Sequence, residues 1–323
     1  MRPKWDEPRG KETYGFLTIQ KAIAHCTNTY SSARDNITEC RETKDAKKHL
    51  TMQDAVLSAD DIMELQLPER IYYLRPWLRD SSIILIDAPR GLGKSFFVLS
   101  ALLAVASGTD FGPWQSHGRV PCLYLDGEMH ETDNQERLRM LQAHKGIPFY
   151  IYNDCYANSL CLPKSNIADH KWREDFKNLL IEKGIKVVAF DNIASLSPGL
   201  DENSKQEWDP INQWLLQLRF AGITSILVHH TGKSGKQRGT SGREDNVDVS
   251  IDLVRPADYS TDDGCRFIAH FSKHRLPQPD LSLITDTEFK LVIKNGSCEW
   301  SFGNVEAETR NECLRLLSQK YQQ

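Results

Sequence analysis

The stretch IILIDAPRGLGKSFFVL, from Ile83 to Leu99, changes rhythm halfway. A β-rich run ends at Asp87, a glycine-punctuated loop follows, and Gly93-Lys94-Ser95 opens a long apolar helix. Backbone N–H groups of such a loop, together with the helix N-terminus, make an anion cradle. The cradle spans Ala88, Pro89, Arg90, Gly91, Leu92, Gly93, Lys94, Ser95 and Phe96. Lys94 is expected to reach the β- and γ-phosphates of ATP, and Ser95 to offer its hydroxyl to Mg²⁺. Ala88 stands where the pattern has glycine, but it is small enough for the turn. Arg90 is unusual in the loop, and no role follows for it. A second Gly-Lys-Ser, at Gly232-Lys233-Ser234, leads into no helix and lacks a small residue upstream at the required spacing.

Working outward, short β-rich runs (IILID, CLYLD, FYIY, VVAF, SILV) alternate with stretches of helical period. The helical stretches include ETDNQERLRMLQAH, HKWREDFKNLLIEKG and SKQEWDPINQWLLQLRF. Such alternation implies an α/β fold with a mostly parallel central sheet covered by helices on both faces. After Val249 strands follow one another without helices, and Asn295-Gly296 between two alternating runs signals a hairpin. An amphipathic helix is expected from about 305 to 321. Ahead of the core, LTMQDAVLSADDIMEL has helical spacing at Ala55, Leu57, Ile62 and Leu65, with a break near Ser58 suited to capping a second helix. The expected division is an N-terminal arm over 1–66, suited to strapping neighbouring subunits together, and an ATPase domain over 67–323.

With 323 residues, 40% hydrophobic and 26% charged, the composition is that of a globular protein. A net charge of -4 supplies no global attraction to nucleic acid, so any polyanion contact needs a local basic patch. The longest apolar run, FFVLSALLAVASG, is too short to span a bilayer, and the N-terminus has no apolar signal core. Eight cysteines are scattered without a CxxC pair, and the nearest two, Cys155 and Cys161, suggest no zinc site on their own. A cytoplasmic protein with reduced thiols is expected.

A phosphate loop needs an acidic metal partner on a neighbouring strand, and IKVVAFDN supplies Asp191 as the second Mg²⁺ ligand. The strand CLYLD runs into Asp126, Gly127 and Glu128. Either carboxylate could polarise an attacking water, and spacing does not choose between them. In FSKHR, Lys273 and Arg275 share strand parity, which an ordinary solvated strand end would also show. The loop TGKSGKQRGTSGRED carries Lys233, Lys236, Arg238 and Arg243 among glycines, a composition suited to phosphate contact without base stacking.

The ordered set APRGLGKS, LYLDGEM, VVAFDN, LVHHTGK, RGTSGREDNVD and FSKHR resembles the RecA-fold hexameric helicases. It is most similar to the plasmid RepA type and in part to the DnaB type, over roughly residues 70–294. The resemblance implies that Glu128, in the Glu-Met pair, activates water. It also implies that His230, in preference to His229, senses the γ-phosphate, and that Arg275 with Lys273 reaches a neighbouring subunit's ATP. It further implies a homo-oligomeric ring, a hexamer, translocating on single-stranded DNA through the loop after His230. A replication initiator or primase is the kind of protein partner it admits, and no membrane is involved. Unlike the DnaB type, no primase-binding domain precedes the core, and no winged-helix module follows it. The competing expectations are a RecA- or RadA-type DNA-dependent ATPase without unwinding, and a KaiC-like or defence-related nucleotide-controlled assembly switch.

Overall fold

A computed structural model of the chain describes residues 8–9, 12–13, 51–201, 204–230 and 245–305. The chain divides into two units, Met1–Glu69 and Arg70–Gln323. In the first, β1 (Pro8–Arg9) pairs antiparallel with β2 (Glu12–Thr13), and a 3₁₀ turn over Met52–Ala55 precedes α1 (Ala59–Glu64). Ser58 caps α1: its hydroxyl accepts from Asp61 N at 3.1 Å while its own N–H donates to the Asp61 carboxylate at 2.9 Å. This reciprocal box satisfies two helix-start donors, and it is what breaks the helical spacing at Ser58. Leu57, Ile62 and Leu65 are exposed there.

The second unit begins with a small hairpin, β3 (Tyr72–Leu74) and β4 (Leu78–Arg79). The main strands are β5 (Ile83–Ala88), β6 (Cys122–Asp126), β7 (Phe149–Asn153), β8 (Val187–Asp191) and β9 (Thr224–His230). They continue with β10 (Val249–Val254), β11 (Arg266–His274), β12 (Thr287–Lys294) and β13 (Ser297–Asn304). Among the described residues they form one nine-stranded sheet, ordered β13-β12-β11-β10-β5-β9-β8-β6-β7. From β10 through β7 the pairing is parallel, and from β10 to β13 it is antiparallel. The helices are α2 (Lys94–Ser107), α3 (Glu131–Met140), α4 (Asp154–Ser159), α5 (His170–Glu182), α6 (Ile193–Leu196) and α7 (Lys205–Phe220). The α/β class and the parallel-then-antiparallel order are those expected from the sequence.

Central strands have no solvent face, so both parities are apolar. In β5, Ile84 and Ile86 enter a core with Phe97 and Leu102 of α2. Ile83 and Leu85 enter the opposite core with Phe176 of α5 and Trp208 of α7. The ring of Phe97 lies 5.5–5.8 Å from those of Phe111, Trp114, Phe267 and Phe289, which ties the first turns of α2 to the antiparallel strands. Asn295 and Gly296 join β12 to β13 with φ of 51° and 79°, the double left-handed geometry of a type I′ turn. The expected C-terminal helix lies outside the described residues beyond Val305. No helix of the described residues is long and apolar enough to cross a membrane.

Candidate nucleotide site

Parallel strands converge their C-terminal ends on one edge, where open α/β sheets bind ligands. Here that edge gathers Ala88 from β5, Asp126 from β6, Asp191 from β8 and His230 from β9. The loop after Ala88 turns through Gly91 and Gly93, with φ of 74° and 100°. At Gly93 a Cβ would sit 2.1 Å from Cys265 Sγ, so only glycine fits. The buried Lys94 donates to the carbonyls of Ala88 at 2.9 Å and Pro89 at 2.8 Å. Burial pushes its pKa down to about 8, against the opposing pull of Asp191, Asp87 and Glu128. Arg90 is exposed and further disfavours the Lys94 charge; Arg137 stacks over the Phe96 ring at 5.1 Å.

Ser95 and Asp191, the two expected Mg²⁺ ligands, come together from α2 and β8. Their side chains hydrogen-bond each other, and Tyr124 donates to Asp191 Oδ2 at 2.5 Å. Burial raises the Asp191 pKa, while the bonds from Ser95 and Tyr124 oppose the rise. This donor set fits Mg²⁺ and a nucleotide phosphate: hard hydroxyl and carboxylate oxygens beside a cation, at the mouth of a glycine-turned loop. Tyr124 carried no role in the sequence reading; its only signal was sharing strand parity with Asp126, on the α2 side of the sheet.

The two carboxylates after β6 part company. Asp126 is buried, and both of its oxygens serve the turn. Oδ1 accepts from the N–H groups of Glu128 at 2.9 Å and Met129 at 3.0 Å, and Oδ2 accepts from Asn134 Nδ2 at 2.6 Å. Glu128 is exposed, lies within electrostatic reach of Lys94, and accepts from Asn192 Nδ2 at 2.5 Å. Gly127 donates to the Asp191 carbonyl at 3.0 Å, which locks this turn to β8. A Cβ at Gly127 would strike Leu196 at 2.6 Å. Asn192, which follows a cis Asp191-Asn192 peptide, had no role in the sequence reading.

His229 and His230 point to opposite faces. His229 is buried, with Nδ1 2.8 Å from Asp87 Oδ1. His230 is half-buried and pairs in register with Ala88, at the entrance of the loop. Lys273 lies in β11, and Arg275 just beyond it. The Arg275 N–H donates to the Asp248 carbonyl at 2.8 Å, and the Asp248 N–H donates to the Ile83 carbonyl at 2.8 Å. Arg275 therefore sits at the start of β5, and the phosphate loop at its end. Five strand steps, about 16 Å, separate the two ends, farther than a side chain spans. The exposed Arg275 guanidinium donates to the Asp245 carbonyl at 2.9 Å. Lys233, Lys236, Arg238 and Arg243 lie outside the described residues.

A parallel sheet whose strand ends surround a phosphate loop defines a RecA-like P-loop ATPase. The KaiC-like protein PH0186 from Pyrococcus horikoshii OT3 has the same fold, with a TM-score of 0.51 at 14% identity over 72% of this chain and 99% of that one. A second solved structure, also an ATPase domain, aligns with a TM-score of 0.48 at 15% identity, over 70% of this chain and 85% of that one. The AAA domain family model matches residues 46–236, and the chain belongs to that family. A model of the NrS-1 polymerase HBD domain matches residues 1–32. No curated protein matches the chain.

Proposed function

We propose that the protein is an ATP-hydrolysing ring motor of the RepA-like kind, acting on single-stranded DNA. The observation that carries the hydrolytic part is the division of labour after β6: Asp126 is consumed by its own turn, while Glu128 stands open beside Lys94. Lys94 binds phosphate, Ser95 and Asp191 hold Mg²⁺, Glu128 takes the proton of the attacking water, and Asn192 orients the Glu128 carboxylate. His230, beside Ala88, reports the γ-phosphate to the basic loop that follows.

Support for the ring comes from Arg275. It lies a strand length from its own loop, so any phosphate it meets belongs to another copy. Arginine suits that position because its rigid fork matches charge spreading over phosphoryl oxygens. Lys273 would assist it. The basic loop 231–244 supports DNA contact, and the match of residues 1–32 to a domain described from a polymerase supports a replicative setting. The alternative is a nucleotide-controlled switch, the reading favoured by the likeness to a KaiC-like protein.

ATP turnover with and without single-stranded DNA, then strand displacement on a forked duplex, separates the readings. The motor is expected to show DNA-stimulated turnover and displacement. Stimulation without displacement identifies a non-unwinding DNA-dependent ATPase, and turnover indifferent to DNA identifies the switch.

A further inference from the structure

We propose that His130, Glu131 and Cys155 form a binding site for a thiophilic divalent cation, with Zn²⁺ as the fitting ion. The three residues come from two neighbouring turns. Strands β6 and β7 pair in register from Cys122↔Phe149 to Asp126↔Asn153, which brings the turns after them side by side. Asn153 Nδ2 donates to the Met129 carbonyl at 2.8 Å and fastens one turn to the other. His130 caps α3, Glu131 begins it, and Cys155 is the second residue of α4.

One ligand atom from each residue lies within 4.8 Å of the other two. His130 Nδ1 and Glu131 Oε2 are 3.5 Å apart. Metal bonds of about 2.0–2.3 Å at tetrahedral angles put ligand atoms about 3.5 Å from one another. One pair is therefore already at that spacing, and a shift of roughly an ångström, within reach of an exposed histidine, closes the others. The Cys155 thiol hydrogen-bonds the Glu131 carboxylate. Glu131 Oε2 is occluded from solvent and accepts no hydrogen bond from any described residue. An occluded oxygen without a donor carries an unmet cost, which a cation removes. On binding, the thiol proton leaves to solvent, a sulfur–metal bond forms, and the carboxylate exchanges a proton donor for the ion.

Ligand softness separates this cluster from the Mg²⁺ position. Ser95 and Asp191 offer only oxygen, whereas thiolate with imidazole selects a borderline-soft ion. The cluster begins two residues after Glu128. On the reading of Glu128 given above, an ion there would tether the turn carrying that carboxylate to α4.

The site is tested on the full chain by the alkylation rate of Cys155 with iodoacetamide, followed by peptide mass spectrometry. Saturating Zn²⁺ is expected to slow Cys155 by about tenfold or more, while Mg²⁺ leaves it unchanged and chelator restores the rate. The exposed Cys161 reports reagent activity in the same sample. His130→Ala and Glu131→Gln should each cut the protection to under about threefold. An unchanged Cys155 rate in Zn²⁺, or full protection persisting in both variants, overturns the site. The readout is thiol chemistry, so it is independent of whether Glu128 serves ATP hydrolysis.

Discussion

At the residue scale, the two carboxylates after β6 have opposite fates on substitution. Glu128→Gln keeps the phosphate cradle and the shape of the side chain but cannot accept a proton. Turnover should fall by about 10²-fold or more with ATP affinity retained, measured by single-turnover hydrolysis beside equilibrium nucleotide binding. Asp126→Asn should instead act on the fold, since it weakens the acceptor for two N–H groups and the Asn134 amide. A drop in melting temperature is expected there, and an Asp126→Asn protein with normal stability and no turnover would reverse the assignment. Lys94 adds a pH dependence. Its free-site pKa of about 8 lies below the ordinary 10.5, so the unfolded chain binds more protons between those values. The stability contributed by this group therefore rises with pH across that window. ATP binding runs the other way, because phosphates favour the charged ammonium. Affinity should be flat below about pH 8 and fall toward tenfold per pH unit above it, as binding takes up a proton. Titration calorimetry across that range checks it, and Lys94→Arg should lack the inflection.

At the scale of elements, the phosphate loop is shaped by the strand that packs on it. Gly93 sits at φ of 100° with Cys265 Sγ where a Cβ would go. Gly93→Ala should be worse than loss of flexibility alone. The left-handed backbone costs about 1–2 kcal/mol for a residue with a Cβ, before any clash. Nucleotide affinity and melting temperature should both fall, and Cys265→Ala should not restore them, because the backbone penalty remains. Full rescue by Cys265→Ala would show that the contact, not the turn, sets the requirement. The start of α2 is held on its other side by Phe97 among four aromatic rings, so the loop lies between two rigid supports.

At the scale of the whole molecule, the question is whether one chain completes its own site. Arg275 lies at the far end of β5 from Ala88, with its backbone pinned through Asp248 to Ile83. Arg275→Ala should lower turnover by roughly 10³-fold, by analogy of mechanism with arginine fingers. The sharper measurement mixes Arg275→Ala subunits with Lys94→Ala subunits. Neither alone should hydrolyse ATP, and mixed assemblies should regain activity wherever an intact loop meets an intact Arg275. Absence of rescue in verified mixed assemblies, or full turnover by a dilute monomer, would leave Arg275 as a strand end bonded to Asp245.

Much of this protein is legible along the chain. The apolar runs from Ile83, Cys122 and Val187 determine strands because their period and length admit little else. Gly91 and Gly93 before Lys94-Ser95 determine a phosphate cradle because backbone sterics allow few other residues there. Those are local properties, settled within a few residues. Tertiary structure decided what depends on distant neighbours. Spacing left Asp126 and Glu128 equivalent, and only the packing of Asn134 and the following N–H groups engages one of them. Cys155 looked isolated because its partners, His130 and Glu131, lie on another turn, brought near by the β6–β7 register. Tyr124 reads as a core aromatic until β8 lies beside β6 and places Asp191 under its hydroxyl. Periodicity encodes elements through short-range sterics and solvation, whereas the meeting of side chains from different strands is set by pairing order and register, which no single segment contains.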